Sequence, residues 1–331
     1  MSGTAKEQSA LLVHRMTWEA ADVLSVDLVH PQRKPLPAWT PGAHIDLHLD
    51  GLVRQYSLCG DPADSDRYRV AVLKDPASRG GSAFVHGGLR PGALVTVGGP
   101  RNHFELADAA SYVFVAGGIG VTPLLTHARE AAGRGLPWQF WYGGRSRASM
   151  AFAEELGELA AADRTVVLRP KDEDGRLDLD RVLAGVPEGA LVYCCGPERL
   201  TAAVRAGCAA LGILGRLRVE HFAAATAPGT GTGTGTGAGA DGGTAFEVEC
   251  AKSRVTVTVG PDESIVDALE NVGVVVDASC RDGVCGTCEV PVIEGELDHR
   301  DMVLTDAEQA AGDLMLICVS RCTSRRLVLD L

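Results

Sequence analysis

A run of 22 small residues, AAATAPGTGTGTGTGAGADGGT at positions 223–244, constrains the fold more than any other feature of the sequence. It contains no large apolar side chain that a core could bury. A segment of this composition is typical of a flexible tether, and 22 Gly-rich residues span about 25 Å on average. The 331 residues therefore predict separate folding units on the two sides of the tether, each with a core of its own.

Residues 1–107 predict an antiparallel β-barrel. The stretch PGAHIDLHL alternates apolar and polar residues, and one face of the predicted strand is formed by Ala43, Ile45, Leu47 and Leu49. Such a period of two is typical of a strand with one buried face, and RYRVAVLKD repeats it. The Gly-rich segment SRGGS, at 78–82, predicts the start of a short helix whose free N–H groups suit a phosphate.

Residues 108–222 predict a doubly wound α/β nucleotide-binding domain. Short apolar runs alternate here with stretches of helical periodicity, which is the order of a parallel sheet covered by helices on both faces. The predicted strands are SYVFVAGG, WQFWYGG, RTVVLRP, ALVYCCGP and RLRVEHF, and helices are predicted near 122–134, 150–161 and 198–211.

The segment 245–331 is predicted to form a small module around closely spaced cysteines. Cys280 is followed after four residues by Cys285, after two more by Cys288, and after 29 more by Cys318. This is the plant-type [2Fe-2S] spacing. A zinc ribbon is the alternative, but zinc ribbons usually have two C-x2-C pairs and only one is present in this module.

Two details of the cysteine pattern refine this prediction. Gly283 and Gly286 permit the tight loop and close backbone approach that a compact cluster needs. Cys322 is the alternative fourth ligand, but Cys318 ends the apolar run LMLIC and is preferred. Cys250 is expected to be a packed thiol in a strand.

The ten cysteines could also form disulfides, but the sequence favours free thiols. The N-terminal stretch MSGTAKEQSALLVHR has no basic start followed by a long apolar core, so no secretory signal is expected. A reducing compartment keeps thiols free. The longest apolar run, YVFVAGGIGVTPLL, is interrupted by glycine and is too short to span a bilayer. We therefore expect a cytoplasmic protein without a membrane partner.

The charge distribution excludes one class of partner and suggests another. The net charge of −12 argues against nucleic-acid binding. Residues 245–331 carry 17 acidic and 7 basic residues, which leaves a net charge of only −2 for the remainder of the chain. An acidic module suggests a partner with a basic face, although acidity that serves solubility alone is the alternative.

The C-terminal stretch that begins at FEVECAKSRVTVTVG and runs through SCRDGVCGTCEVP to LMLICVSRC resembles a plant-type ferredoxin domain with the β-grasp fold. Its position after a barrel and an α/β domain resembles the phthalate dioxygenase reductase family, which includes vanillate demethylase reductases. The resemblance covers essentially the whole chain. It implies a flavin-binding barrel, a ferredoxin-reductase-like NAD-binding domain and a [2Fe-2S] domain, in that order.

The resemblance implies a flavin site at RQYS and SRGGS. It places Arg54, Tyr56 and Ser57 against the flavin, and further contacts around the flavin phosphate at Arg79, Gly80, Gly81 and Ser82. Lys74 is another candidate contact, with a solvated Lys at a strand end as the alternative. FMN is the expected flavin and FAD is the alternative. Ser57 is expected to orient the flavin by a hydrogen bond near N5.

The stretch AGGIGVTPLL follows a predicted strand and opens a helix, so its glycines can approach a pyrophosphate. It departs from the full dinucleotide fingerprint, because Pro123 stands where the third glycine falls and no acidic residue ends the next strand. The resemblance implies nucleotide contacts at Gly118 and Gly120, a position near the flavin for Thr122, and nicotinamide contacts at Cys195 and Gly196. The adenosine end is expected near Arg145 and Ser146.

Other features of this domain leave alternatives open. Arg145 and Arg147 could bind a 2′-phosphate, so NADPH is an alternative to the expected NADH. Glu220 is expected to face the flavin edge, or else to be a solvated carboxylate at a strand end. The alternative for Cys195 is a buried small residue. The predicted catalytic residues are therefore Ser57, Cys195 and Glu220.

The order of the predicted carriers predicts the function. A nicotinamide gives up two electrons as hydride, whereas a cluster passes electrons singly, and a flavin converts between the two. We expect a monomeric NADH-dependent reductase that serves the terminal component of a Rieske-type oxygenase, such as an aromatic hydroxylase or demethylase. A cytochrome P450 is the alternative acceptor, and a redox-sensing iron-sulfur flavoprotein is the alternative class. No pattern typical of a hydrolase is present.

Overall fold

A computed structural model describes residues 8–76, 80–222, 244–278, 280–281, 283–284 and 286–331. The chain divides into two compact units, Met1–Phe222 and Ala223–Leu331. The domain boundaries expected at residues 107 and 244 stay predictions. Within the described residues, no helix has both the length and the apolar character that crossing a membrane requires.

The first part of unit 1 is an antiparallel sheet of six strands. Its strands follow the order β4-β3-β6-β1-β2-β5, and an isolated bridge between Leu58 and Val70 joins the two edges into a barrel. The predicted inward face is confirmed, because Ile45, Leu47 and Leu49 are completely buried. The elements are β1 (Gln8–Ala20), β2 (Val23–Val29), β3 (His44–Leu49), β4 (Leu52–Ser57), β5 (Arg67–Leu73), α1 (Gly81–Gly87) and β6 (Leu94–Arg101).

The second part of unit 1 is a parallel sheet of five strands in the order β11-β10-β7-β8-β9. Its elements are β7 (Tyr112–Gly117), α2 (Val121–Gly133), β8 (Trp138–Gly144), α3 (Ala153–Glu158), β9 (Arg164–Pro170), α4 (Lys171–Asp174), α5 (Leu179–Ala184), β10 (Leu191–Cys195), α6 (Glu198–Ala210) and β11 (Leu217–Glu220). The central strand β7 is buried on both faces, since Phe114 packs in one core and Val113 in the other. The predicted doubly wound fold is confirmed.

One predicted helix is shorter than expected. The prediction covered 150–161, but α3 spans only Ala153–Glu158. Phe152, just before it, has a left-handed backbone with φ of 61°, which an ordinary residue adopts only at a cost and which cannot continue a helix. The two short helices α4 and α5 were not predicted, because KDED has no apolar residue and the six residues LDRVLA are too few to show a clear helical period.

An ionic network joins the barrel to the parallel sheet within unit 1. Arg69 of β5 contacts Glu155 of α3 at 2.8 Å and Glu19 of β1 at 2.6 Å. Arg129 of α2 also pairs with Glu155 and donates hydrogen bonds of 2.9 Å to the carbonyls of Cys59 and Gly60. The network fixes the relative position of the two sheets. It therefore holds the end of β4 in the barrel close to the ends of β10 and β11 in the parallel sheet.

Unit 2 is built on a mixed sheet with the strand order β13-β12-β18-β14-β16. Strands β12 and β18 run parallel, while the hairpin β12-β13 is antiparallel. The elements are β12 (Phe246–Cys250), β13 (Val255–Val259), α7 (Ile265–Asn271), β14 (Glu289–Glu294), β15 (Leu297–Asp298), α8 (Asp306–Ala311), β16 (Leu314–Leu316), β17 (Arg321–Cys322) and β18 (Arg326–Leu329). Helix α7 packs its buried face, including Leu269, on the core of this sheet, and the predicted β-grasp fold is confirmed.

Candidate functional site

Three predicted catalytic residues from distant parts of unit 1 meet at strand ends. Ser57 is the last residue of β4, Cys195 the last of β10 and Glu220 the last of β11. The parallel pairing of β10 with β11 places Cys195 opposite Glu220, and the two side chains approach to 3.8 Å between Sγ and Oε2. The Ser57 side chain also interacts with this carboxylate and lowers its pKa. The barrel and the parallel sheet thus each supply part of one polar site.

The surroundings change the acidity of these groups. Burial raises the pKa of Glu220 from 4.5 to about 8, while hydrogen bonds from Cys195 and Ser57 act in the opposite direction. Part of the Glu220 residue stays exposed, but protein atoms surround its carboxyl group. Burial, and then the nearby Glu220 carboxylate, raise the pKa of the Cys195 thiol well above its usual value. Near neutral pH, Cys195 is therefore a neutral thiol and not a nucleophilic thiolate.

The two predicted glycine segments of the parallel sheet pack against each other. A Cβ atom at Gly120 would lie 2.2 Å from the Cys195 carbonyl oxygen, and one at Gly196 would lie 2.9 Å from the Gly117 Cα atom. Gly118 has a φ of 55° and no atom within 4 Å of a Cβ placed there, so its outer side is open. Glycine is thus required for contact between the loops at two positions, and at Gly118 for a left-handed backbone on an open face.

Thr122 lies in the first turn of α2 and is buried. Its hydroxyl donates a hydrogen bond of 2.9 Å to the Ile119 carbonyl, which stabilises the glycine loop. Pro123 also lies in this first turn, where the missing N–H is not needed. The position that departs from the dinucleotide fingerprint is therefore compatible with a regular start of the helix.

The two predicted flavin segments are adjacent in the barrel. A Cβ at Gly81 would lie 2.6 Å from the Arg54 Cγ atom, and one at Gly80 would lie 2.7 Å from Leu52 Cδ1. The start of α1 therefore packs directly on the strand that carries Arg54, Tyr56 and Ser57. Burial raises the pKa of Tyr56 to about 12, with Arg54 acting against it, so the phenol stays protonated.

The remaining flavin candidates have different environments. The Ser82 hydroxyl accepts a hydrogen bond of 3.2 Å from the Asp75 backbone. Lys74 follows β5 and is exposed, and its backbone N–H donates to the Asp22 carbonyl. Arg79 lies outside the described residues. A flavin contact for each of these three stays a prediction.

The predicted adenosine-end residues follow β8 on the surface. Arg145 and Arg147 are exposed, and Ser146 caps a short 3-10 turn through mutual hydrogen bonds with Ser149. The Arg147 guanidinium lies 3.6 Å from the Glu173 carboxylate of α4, and the Arg145 carbonyl accepts a hydrogen bond from Asp172. The structure therefore adds an acidic neighbour that the sequence reading did not include.

Three predicted metal-binding thiols meet in unit 2. Cys318 forms side-chain hydrogen bonds with Cys280 and Cys288, which raise the pKa of Cys318, and the bond to Cys318 lowers the pKa of Cys288. Such a group of thiols has the ligand chemistry of an iron-sulfur cluster. Cys285 lies outside the described residues, so its ligation stays a prediction.

The other cysteines of unit 2 have different partners. The Cys322 sulfur lies 2.9 Å from the Ser324 hydroxyl and 3.7 Å from the Arg326 carbonyl. This favours Cys318 over Cys322 as the fourth ligand. Cys250 is buried within β12, as expected for a packed thiol.

Two charged groups near these sites were not identified from the sequence. Glu155 is the carboxylate shared by Arg69 and Arg129 between the two sheets. Asp301 is a buried carboxylate of unit 2. Neither has a spacing signal, because the hydrogen-bonding side chains of Arg69 and Arg129 lie 86 and 26 positions from Glu155, and that of Ser320 lies 19 positions from Asp301.

Comparisons with known proteins agree with this architecture. The chain matches the model of a 2Fe-2S iron-sulfur cluster binding domain over residues 248–323 and that of an oxidoreductase NAD-binding domain over 114–206. It is 44% identical to the phenoxybenzoate dioxygenase subunit beta of Ectopseudomonas oleovorans, with 97% of each chain covered.

Solved structures give the same result over the whole chain. An intact type IV self-sufficient cytochrome P450 monooxygenase matches with 41% identity and a TM-score of 0.87; the match covers 98% of this chain but only 41% of that one. A phthalate dioxygenase reductase, described as a modular structure for electron transfer from pyridine nucleotides to [2Fe-2S], matches with 34% identity, a TM-score of 0.67 and 98% coverage of both chains. The chain therefore belongs to the phthalate dioxygenase reductase family, the oxidoreductases that act as reductase components of oxygenase systems.

Proposed function

We propose that this chain passes electrons from NADH through FMN to a [2Fe-2S] cluster and on to the terminal component of a Rieske-type oxygenase. The observation that carries the proposal is the meeting of Ser57 from the barrel with Cys195 and Glu220 from the parallel sheet. A hydride transfer needs donor and acceptor rings held together between two binding domains. This junction lies at the carboxyl ends of parallel strands, where nucleotides bind in open α/β sheets.

The cofactor chemistry defines what the protein must hold. When bound, FMN accepts a hydride and returns its electrons singly, and a [2Fe-2S] cluster carries them one at a time. The flavin-binding residues in this proposal are Arg54, Tyr56, Ser57, Lys74, Arg79, Gly80, Gly81 and Ser82. The nucleotide-binding residues are Gly118, Gly120, Thr122, Arg145, Ser146, Cys195 and Gly196. The cluster ligands are Cys280, Cys285, Cys288 and Cys318.

The residues at the junction position the reactants and keep water out. Ser57 supplies a hydroxyl, beside Glu220, that can hydrogen-bond a flavin ring nitrogen. Glu220 holds a proton near neutral pH, because its pKa is raised to about 8. Cys195 presents a neutral sulfur. None of these residues has to act as a general base, since hydride transfer itself releases no proton to the protein.

Two choices of ligand belong to the proposal. FMN is the flavin that membership of this family favours over FAD, and chromatography of the extracted flavin distinguishes them. NADH is favoured over NADPH because Glu173 lies beside Arg147 and carries a negative charge, which opposes a 2′-phosphate at this position.

The acceptor is expected to be a protein with a basic face. The module 245–331 has a net charge of −10, from 17 acidic and 7 basic residues. Such a surface can steer a basic partner, and salt weakens the attraction. Reduction of the terminal oxygenase should slow as ionic strength increases. We further propose a monomer in the cytoplasm, where a reducing environment preserves thiols like those of the described cysteines, all of which are free.

The test uses the full-length holoprotein and cytochrome c as an artificial acceptor. Cys280→Ser should abolish NADH-dependent cytochrome c reduction, while bound flavin and NADH-dependent ferricyanide reduction persist. If cytochrome c reduction survives in this variant, the cluster does not lie on the electron path. If the wild-type protein carries both cofactors but shows no turnover with NADH, the redox-sensor alternative replaces the reductase.

A cytochrome P450 is a second candidate acceptor. The observation that favours it is the 41% identity to the matching part of a self-sufficient P450 monooxygenase. Rapid reduction of a purified P450 partner, with none for a Rieske oxygenase, would change the assignment of the acceptor.

A further inference from the structure

Asp301 of unit 2 is a buried carboxylate for which the proposed electron path has no use. It lies between β15 and α8, and its side chain is completely shielded from solvent. Removing a carboxylate from water is costly unless hydrogen bonds replace the lost hydration. The groups that hydrogen-bond the Asp301 carboxylate therefore indicate what this residue does in the fold.

Asp301 binds the turn that follows it and a distant segment. Its Oδ2 accepts hydrogen bonds from the backbone N–H groups of Val303 and Leu304, at 3.1 and 2.9 Å. Its Oδ1 accepts a bond of 3.3 Å from the Ser320 hydroxyl, and the His299 Nδ1 atom lies 3.6 Å away. The carboxylate thus accepts three hydrogen bonds, which fix both of its oxygens.

The first connection leads to the segment of Cys318. Ser320 lies two residues after this cysteine and is 2% exposed. Besides donating to Asp301, its hydroxyl accepts a hydrogen bond of 3.1 Å from the Arg300 backbone. Two successive residues, 300 and 301, are therefore tied to the chain beside Cys318.

The second connection leads to the loop of the other cysteines. The Met302 N–H donates a hydrogen bond of 2.9 Å to the Gly283 carbonyl. A Cβ atom on Gly283 would lie 3.3 Å from the Asp301 Cα atom and 2.5 Å from a Val319 methyl group. Gly283, with a φ of 70°, is therefore enclosed between Asp301 and the residue that follows Cys318.

We infer that Asp301 is a positioning residue for the [2Fe-2S] cluster. It holds the loop at Gly283, between Cys280 and Cys288, in place against the segment of Cys318, and so keeps these three thiols at one site. The inference rests on the proposed ligation of the cluster by these cysteines. Groups that hold metal ligands in position without binding the metal themselves affect both metal retention and reduction potential. A buried negative charge also opposes the addition of an electron nearby, which lowers the potential.

The test compares Asp301→Asn with Asp298→Asn in the full-length holoprotein. Asp298 lies on the same segment, but its side chain is 36% exposed and pairs with Arg300 at the surface, so it is a matched control. Asp301→Asn should increase the rate of cluster loss in the presence of a chelator by about 10- to 100-fold, followed by the visible absorbance. The midpoint potential of the remaining cluster should rise, and its electron paramagnetic resonance spectrum should change. Asp298→Asn should match the wild type in all three measurements.

The outcomes separate this inference from the proposed function. If the wild-type protein contains no iron and no labile sulfide, the proposed function is refuted. If both variants keep the wild-type FMN content and rate of ferricyanide reduction, their unit 1 is intact. Equal cluster lifetimes and potentials in Asp301→Asn and Asp298→Asn would overturn the inference. If Asp301→Asn does not fold, as judged by circular dichroism, Ser320→Ala is the second test. It removes the hydroxyl that links residues 300 and 301 to the segment of Cys318 and keeps the Asp301 carboxylate. Faster cluster loss in this variant supports the inference, and a wild-type lifetime overturns it.

Discussion

The two candidate sites of this chain are built in different ways. The site of Ser57, Cys195 and Glu220 is made from the last residues of three regular strands. The cysteine site is made from loop, where Arg281, Gly283 and Gly286 all have positive φ. Strand ends are held by the hydrogen bonds of two sheets, whereas the described part of the cysteine loop lies outside the sheets and is held by contacts such as the bond from Met302 N–H to the Gly283 carbonyl. We therefore expect the first site to tolerate loss of its ligand better than the second.

The sharpest test of the cysteine site compares Cys318→Ser with Cys322→Ser. Both residues are buried to a similar degree, 4% and 5% exposed, but only Cys318 contacts Cys280 and Cys288. Cys318→Ser should lose essentially all iron and labile sulfide, because a serine hydroxyl replaces a thiolate ligand. Cys322→Ser should keep both, measured by elemental and sulfide analysis. The opposite result would show that Cys322 is the fourth ligand.

The corresponding test of the strand-end site uses two glycines of the parallel sheet. Gly120→Ala places a methyl group 2.2 Å from the Cys195 carbonyl oxygen, whereas Gly133 has no atom within 4 Å of such a group. The clash with backbone should destabilise unit 1 by about 1–3 kcal/mol and slow flavin reduction by NADH. Gly133→Ala should leave both unchanged. Thermal unfolding and stopped-flow absorbance measure the two effects, and equal behaviour of the variants would contradict the tight packing of the two loops.

The two sites also differ in how far the sequence predicts them. Spacing alone indicates Cys280, Cys285, Cys288 and Cys318, because a cluster needs ligands from one short loop and one distant position. The meeting of Ser57 with Glu220 depends instead on two sheets being fixed together by Arg69, Glu155 and Arg129, which no local pattern encodes. The strands and the long helices α2 and α6 of the parallel sheet were predictable from apolar periodicity. The short helices α4 and α5 were not, and neither was the start of α3, because the left-handed Phe152 is set by its tertiary surroundings.

The raised pKa of Glu220 gives the strand-end site a pH dependence. A carboxyl group with a pKa of 4.5 in the unfolded chain and about 8 in the folded one binds more protons when folded between these values. Its contribution to stability is therefore fully present below pH 4.5 and is lost as the pH rises through about 8. Glu220→Gln should remove this loss, so its thermal unfolding temperature should fall less than that of the wild type between pH 6 and 9.

The same substitution should change the kinetics. The rate of flavin reduction by NADH should show an inflection near pH 8 in the wild type and none in Glu220→Gln. Glu198→Gln is the control, since Glu198 is a surface residue of α6 whose carboxylate lies 3.4 Å from His221, and it should keep the wild-type profile. An inflection that persists in Glu220→Gln would assign the titration to another group.

The smallest expected effect concerns the nucleotide at the outer edge of the strand-end site. The Glu173 carboxylate lies 3.6 Å from Arg147, and both side chains are more than half exposed. An exposed pair of this kind contributes little to stability, but its loss would leave Arg147 available for a 2′-phosphate. Glu173→Gln should therefore raise kcat/KM for NADPH relative to NADH by about two- to fivefold. Asp174→Asn changes the charge of the same helix equally but leaves the pair intact, so its ratio should shift less. Equal ratios in the two variants would mean that overall charge, and not the pairing of Arg147, determines the preference at this edge.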